Sequence, residues 1–312
     1  MTDLSIIVPV YNESANLLHL HERLSAIIQQ MSVSSEIIFV NDGSSDNSLA
    51  LLKKLSAADE KVKYISFSRN FGHQVAVSAG IDKSKGSAVV VIDADMQDPP
   101  ELIPSLLKKF SEGFDVVYAR RSRRKDKSIV KKAAYKLFYR ILSRISSVPI
   151  PLDTGDFRII SRKVADVLKN MPEQQKFLRG QISWIGFKQS FIEYEREQRA
   201  GGEPGYTWKK LFHLALDGIT SFSNIPLRLA TIAGLVVSGI SFLLILYALY
   251  SHWFLGQSTP KGWTSLMISI LFIGGIQLLS IGIIGEYISR LIANVRQRPL
   301  YIIEETNITQ EQ

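Results

Sequence analysis

The sequence predicts an α/β domain built on a mostly parallel sheet, followed by an interfacial helix and two transmembrane α-helices. Three observations predict it. Apolar runs of strand length alternate with helical periodicity from residue 1 to about residue 125, and that alternation implies a mostly parallel sheet. Three of the strand-like runs end in acidic residues, and two long stretches near the C-terminus carry no charge.

The first strand is Leu4 to Val10, with IIVPV at its centre. Leu17, Leu20, Leu24, Ile27 and Met31 then recur at three- and four-residue spacing, which sets one apolar face on a helix. Glu36 to Val40 reads as the second strand and Ser48 to Leu55 as the helix after it. Val62 to Phe67, Ala88 to Ile92 and Asp115 to Tyr118 read as further strands with helices between them. No GxGxxG fingerprint follows any of them, so the dinucleotide-binding version of this architecture lacks support.

The strand ends carry the chemistry. Pro9-Val10-Tyr11-Asn12-Glu13 follows the first strand and Asn41-Asp42-Gly43-Ser44-Ser45-Asp46 the second. Each also reads as a plain βα turn, with Asn12 or Ser45 as helix N-cap and Gly43 at positive φ. Asp93 and Asp95 follow the fourth strand, ahead of Pro99-Pro100. In an open α/β sheet, ligands sit outside the carboxyl ends of the strands. If the strand continued, Asp93 and Asp95 would project to the same side. Paired hard oxygen donors suit a divalent cation such as Mg²⁺ or Mn²⁺ beside substrate phosphates. Tyr11 is suited to contact a nucleobase and Asp42 to hydrogen-bond it, with the metal pair near the diphosphate.

Composition narrows the partners. The chain has 312 residues and no cysteine, which excludes disulfides, Cys-based zinc sites and thiol catalysis. Its formal charge of +8 comes from 37 Lys and Arg against 29 Asp and Glu, a surplus that fits nucleic acid, an anionic membrane face or a phosphorylated substrate. Eight basic residues crowd the stretch from Ala119 to Lys132. No nucleic-acid recognition motif or interleaved stacking aromatics accompany them, which argues against a nucleic-acid partner. At the edge of a ligand-binding sheet an Arg can instead grip phosphate in a bidentate way. Arg121 is the first candidate to hold an acceptor phosphate and Arg124 the second.

The apolar C-terminal half points to a bilayer. Leu229 to Tyr250 gives 22 uncharged residues and Gly262 to Gly285 another 24, and at about 1.5 Å per residue either run spans roughly 30 Å or more. The N-terminus MTDLSIIVPVYNE lacks the basic n-region of a signal peptide. The connector SHWFLGQSTPKGW holds one Lys and two Trp, whereas Lys209, Lys210, Arg228, Arg290, Arg296 and Arg298 flank the opposite ends. By the positive-inside rule both termini and the N-terminal domain are then cytoplasmic in a multi-pass protein of the cell (inner) membrane. Residues 207–223 set Trp208, Leu211, Phe212, Leu214, Ala215 and Ile219 among Lys209, Lys210 and His213. That pattern fits a helix lying in the interface or one packed on the domain. Gly274, Gly275, Gly282 and Gly285 permit close helix contact, with the other span or with a second copy in a homo-oligomer. The expected division is 1–205 for the α/β domain, 206–227 for an amphipathic segment, 228–250 and 264–288 for the spans. Residues 251–263 form the outer loop and 289–312 a cytoplasmic tail.

PVYNE, NDGSSD and DADMQDPPE, in this order and spacing, resemble the family 2 glycosyltransferases. With GDFRIISR at 155–162 and the two C-terminal runs, the chain is similar to polyisoprenyl-phosphate glycosyltransferases, including bactoprenol glucosyltransferases and dolichol-phosphate mannose synthases. The resemblance implies a GT-A fold and transfer of one sugar from a nucleotide-sugar donor to a polyprenyl phosphate at the cytoplasmic membrane face. It implies that Pro9, Tyr11, Glu13 and Asp42 hold the nucleotide, with Asp93 on both nucleotide-sugar and metal. Asp93, Asp95 and Gln97 would organise the metal, and Asp156 would join Asp95 at the reaction centre. UDP-glucose is the donor of choice and GDP-mannose the alternative. Relatives often carry Gly-Glu-Ser/Thr-Lys-Tyr before the first span, where this chain has Gly202-Glu203-Pro204-Gly205-Tyr206, so no acceptor role is assigned there.

A phosphate monoester has a second pKa of about 6 and is mostly dianionic at neutral pH, so it needs little help from a base. Asp156 is therefore read first as positioning acceptor or metal and second as a base; a plain turn residue after Gly155 is the bland alternative. In-line attack on the anomeric carbon would invert its configuration. A processive polysaccharide synthase is disfavoured because Gln174 to Arg179 does not form Gln-x-x-Arg-Trp. A non-catalytic scaffold is disfavoured by the intact Asp93, Asp95 and Asp156.

Overall fold

The computed structural model describes residues 2–31, 33–121, 154–194, 225–254 and 262–309. Arg124, the expected interfacial segment at 207–223 and the Gly202–Tyr206 run lie outside the described residues.

Eight strands form one sheet: β1 (Leu4–Val10), β2 (Ser35–Asn41), β3 (Val62–Phe67), β4 (Ala88–Val91), β5 (Val116–Arg121), β6 (Thr154–Ser161), β7 (Gln189–Tyr194) and β8 (Ile303–Thr306). Their order across the sheet is β7-β5-β6-β4-β1-β2-β3-β8. β1 pairs in parallel with both β2 and β4, so the chain's direction of winding switches at β1. The crevice outside the carboxyl ends at such a switch point is where open α/β sheets bind ligands.

Helices cover both faces. α1 (Leu17–Met31), α2 (Ser48–Ala58) and α4 (Ile103–Phe110) bury Leu17, Leu20, Leu24, Ile27, Leu52, Ile103 and Leu106 against Ile6, Val8 and Val10 of β1. The other face meets α3 (His73–Lys83), α5 (Arg162–Lys169) and α6 (Leu178–Ile185), where Ile7, Ile38, Val89 and Val91 pack with Val77, Val164 and Ile182. Adjacent residues of β1 thus serve opposite cores, as the period of two requires. α3 lies so close to β1 that a Cβ at Gly80 would come within 2.3 Å of the Ile7 side chain.

The first four expected strands and the first helix are present within a residue or two. β4, however, ends at Val91, and Ala94–Asp95 form a turn in which Met96 takes a positive φ of 58°. Asp93 and Asp95 are therefore not successive same-side residues of a strand. β6 pairs antiparallel with both β4 and β5. Asp156 is accordingly a strand residue, which excludes the plain turn after Gly155.

Two long helices follow, α7 (Ile225–Phe254) and α8 (Trp263–Val295), and they pack on one another. Among the described residues one stretch, Phe272–Val295, is long and apolar enough to cross a membrane. Its apolar side chains face outward, with Leu278 72% exposed, which separates it from the core helix of a soluble domain. A Cβ at Gly274, Gly275, Gly282 or Gly285 would meet no described atom within 4 Å.

The expected tail does more than trail. Gln297, at φ 47°, reverses the chain after α8, and β8 then pairs antiparallel with the outer edge of β3. Asn307 bridges two positions on the outer edge of β3, accepting from Tyr64 N at 2.7 Å and donating to Val62 O at 3.1 Å. Lys53 of α2 bridges to Glu305 at 2.7 Å.

Candidate active site

The loops after β1 and β2 are sewn together by short polar side chains. Asn12, in the left-handed region at φ 56°, donates its N–H to Ser44 Oγ at 3.0 Å, and its Oδ1 accepts from Ser45 N at 2.8 Å. Asp46 accepts from Ser14 N and from Ser48 N, each at 3.0 Å. Burial works against its charge, yet those hydrogen bonds lower its pKa to about 2. Tyr11 is left 51% exposed on this platform, free to take a flat partner. Glu13 Oε2 accepts from Asn16 at 2.6 Å, and Pro9 is buried within β1.

Asp42 is buried and turned toward the loop after β3. Its Oδ1 accepts from Phe71 N at 2.7 Å and its Oδ2 from Gly72 N at 3.0 Å. Desolvation nevertheless raises its pKa. The same two loops touch at Gly43, where a Cβ would lie 2.4 Å from the Arg69 backbone; at φ 65° and that distance only glycine fits.

Strand pairing brings the remote acid to the site. Val91 of β4 is opposite Arg158 of β6, so two residues onward Asp93 arrives level with Asp156. His73, the first residue of α3, lies beside both: its Nε2 is 3.1 Å from Asp156 Oδ2 and 3.6 Å from Asp93 Oδ1. Gln74 donates to the same Asp156 oxygen at 3.3 Å. On the other side Arg158 Nη2 donates to Asp156 Oδ1 at 2.7 Å and Arg179 Nε reaches that oxygen at 3.3 Å.

These neighbours divide the carboxyls electrostatically. Burial would raise Asp156, but Arg179, His73 and Arg158 together hold it well below the usual carboxylate range. Asp93 is dominated by desolvation, which pushes it up to about 6 against the pull of His73. Burial opposes the charge on His73, yet the hydrogen bond to Asp156 and the charge of Asp93 raise it to about 9. At neutral pH the cluster holds an imidazolium between two acids of unequal strength.

The donor set fits a hard divalent cation. Asp93 Oδ1 is buried without a hydrogen-bond partner among the described residues, an orphaned oxygen that a cation would satisfy. Asp95 and Gln97 are half-buried in the adjoining turn, with Asp95 Oδ1 accepting from Gln97 N at 3.1 Å. His73, Asp93 and Asp156 also each offer a ligand atom within 4.8 Å of the others. The imidazole, however, would have to give up a proton to coordinate, and hard Mg²⁺ prefers oxygen.

Of the expected site residues, the structure gathers Tyr11, Glu13, Asp42, Asp93, Asp95 and Gln97 at the carboxyl ends of β1, β2 and β4, with Asp156 beside them at the amino end of the antiparallel β6. Arg121 is the last residue of β5, two strands from β4. His73, Gln74, Arg158 and Arg179 were not legible as site residues. They come from three separate segments, the start of α3, β6 and α6, with no repeating pattern, and meet only around Asp156 once β6 pairs with β4.

Comparison with known proteins agrees with this architecture. Residues 5–168 match the glycosyl transferase family 2 model, and residues 225–291 match the GtrB C-terminal hairpin. The glycosyltransferase YkcC of Bacillus subtilis is 48% identical over 97% of this chain and 93% of its own length. The prophage bactoprenol glucosyl transferase homolog of Escherichia coli is 40% identical over 96% of this chain and 98% of its own. The bactoprenol glucosyl transferase of Shigella phage SfII is 40% identical over 97% and 98%.

Proposed function

The chain belongs to glycosyl transferase family 2 and is a glycosyltransferase, and from that premise we propose that it moves glucose from UDP-glucose to a membrane polyprenyl phosphate. The glucose and the lipid acceptor are suggested by the relatives named as bactoprenol glucosyl transferases. The observation that carries the membrane half of this reading is β8, the strand that returns from an apolar helix to the edge of the nucleotide-side sheet.

That connection supports a two-crossing topology. β3 and β8 share one sheet, so the chain between them crosses a bilayer an even number of times. With α8 as one crossing, α7 is the other, and the basic flanks put the shared sheet on the cytoplasmic side. The last turn of α8 touches the catalytic domain, where Asn294 Oδ1 accepts from Gln174 N at 3.0 Å. An acceptor confined to the bilayer is thereby within reach of a site that is itself outside it.

Tyr11, Glu13 and the Asp42 loop receive the nucleotide in this proposal, and Asp93, Asp95 and Gln97 hold Mg²⁺ or Mn²⁺. The cation, when bound, neutralises charge on the departing diphosphate. Asp156 is a weak base because Arg179, His73 and Arg158 hold its carboxyl well below the usual carboxylate range and leave it little affinity for a proton, and a phosphate dianion needs no base. Its task is to hold position, while Arg121 and Arg124 receive the acceptor phosphate. An oxygen of that phosphate forms the new bond to the anomeric carbon as the bond to the diphosphate breaks, with inversion, and UDP leaves.

The test is transfer by the full chain in lipid nanodiscs containing undecaprenyl phosphate. Radiolabel from UDP-glucose should enter an acid-labile lipid with Mg²⁺ or Mn²⁺ present, and GDP-mannose should not substitute. Label from neither donor in lipid, with both nucleotides released to water, would overturn the acceptor assignment.

A further inference from the structure

We propose that Tyr301, on the strap leaving α8, is a positioning residue of the nucleotide site. The inference rests on the reading of the Asp42 loop as the nucleotide end of the site, and adds to it a residue about 260 positions away in sequence.

The contacts form a short chain. The Tyr301 ring stacks on Phe67, centroids 5.1 Å apart at 21°. Phe67 is the last residue of β3 and meets Phe71 edge to face at 5.6 Å. Phe71 in turn gives its N–H to Asp42 and carries the Arg69 guanidinium 3.9 Å above its ring. Tyr301 Oη donates to Asp82 of α3 at 3.1 Å, and Ser68 N donates to Ile302 O at 3.1 Å. The strap therefore holds the loop 68–72 from the outside, while Asp42 holds it from the inside. Gly72 closes that loop, and His73 follows directly as the first residue of α3.

Placement argues for a role beyond stability. β8 is antiparallel to β3, so its start lies at the carboxyl end of the sheet, beside the site, and Asn307 lies at the opposite end. The strap begins immediately after the helix end at Arg296. Displacement of that helix end would thus reach the nucleotide loop through two ring contacts. Were the strap only an edge cover against strand pairing, its aromatic anchor would not need to sit under this loop.

The experiment measures UDP-glucose affinity by calorimetry and transfer kinetics on the full chain in nanodiscs with Mg²⁺. Tyr301→Ala should weaken UDP-glucose by about tenfold, the upper range for loss of one aromatic pair, and raise donor KM alike. Turnover at saturating donor and the lipid KM should stay near wild type. Tyr301→Phe keeps the stack and should restore donor affinity. Asn307→Ala, at the far end of the same strand, should lower Tm without moving donor affinity. If Tyr301→Ala does not fold, Tyr301→Leu carries the same comparison. Wild-type donor affinity in the folded Tyr301 variant, or an equal loss in Asn307→Ala, would overturn the proposal. Asp42→Ala separates the two readings. If it weakens UDP-glucose while the Tyr301 variants do not, the strap inference alone fails; if it has no effect, the nucleotide-site reading fails.

Discussion

Arg158 and Asp156 are two residues apart on one strand and point the same way, so that Arg158 Nη2 donates to Asp156 Oδ1 at 2.7 Å and Nε to the Asp156 carbonyl at 3.1 Å. Arg158 is only 1% exposed. A charge taken that far from water is tolerable only with its counter-charge in contact. The pair thus fixes the carboxylate in both ionisation and direction before any substrate arrives.

Arg158→Met should therefore cost about 3 kcal/mol of stability, the low end for breaking a buried pair, since Arg179 and His73 still face Asp156. Combining it with Asp156→Asn should recover part of that loss in thermal unfolding, because the stranded charge is gone. Strictly additive losses would show that the two groups are not energetically paired.

Periodicity made the β1–β4 half of the sheet legible. Leu17, Leu20, Leu24 and Ile27 are buried where their spacing put them, and Leu4–Val10 reads as a strand because both its faces are covered. β6 was hidden because its functional residues break the pattern: Asp156 and Arg158 stand, buried, where a sequence reading expects surface. β8 was hidden for the opposite reason. As an edge strand with one exposed face, Ile303-Glu304-Glu305-Thr306 buries little, and polar strands carry weak register information. His73 gave no signal, since its meaning depends on Asp93 and Asp156 arriving from two other segments.

The contrast between Asp95 and Asp156 separates metal from positioning. Asp95→Asn should abolish transfer and weaken Mn²⁺ binding while the protein still folds. Asp156→Asn should lose transfer by orders of magnitude yet bind UDP-glucose near wild-type affinity, because a contact made in the transition state lowers turnover alone. Calorimetry for donor and cation, with radiolabel transfer to lipid, measures each effect. Lost donor affinity in the Asp156 variant would move that residue into the nucleotide or metal site.

The imidazolium between Asp156 and Asp93 should leave a pH signature in EDTA. Its pKa is raised from 6.5 to about 9, so its contribution to stability is fully present below 6.5 and is lost as pH rises through 9. Below about 6 Asp93 takes up a proton, and Asp156 alone remains as partner. The Tm difference between wild type and His73→Gln should thus be largest near pH 6 to 6.5 and close as pH passes about 9. A difference that stays constant across this range would mean that His73 acts through packing rather than charge.

Topology can be read with cysteines, because the native chain has none. A single cysteine at residue 257, between the long helices, should react with an impermeant maleimide in intact cells. Cysteines at residues 2 and 310 should react only after lysis. The expectation combines two independent constraints. Basic residues gather on the flanks nearest the domain, with Lys261 alone in the connector. β8 also requires that whatever side holds β3 holds the C-terminal segment too, so residues 2 and 310 must share a compartment wherever the connector lies. Labelling of 310 but not 2 from outside would break the pairing of β8 with β3 in the membrane-embedded protein, and with it the even number of crossings. Labelling of both would keep the sheet intact and invert the orientation, placing the site on the face where nucleotide-sugars are not supplied.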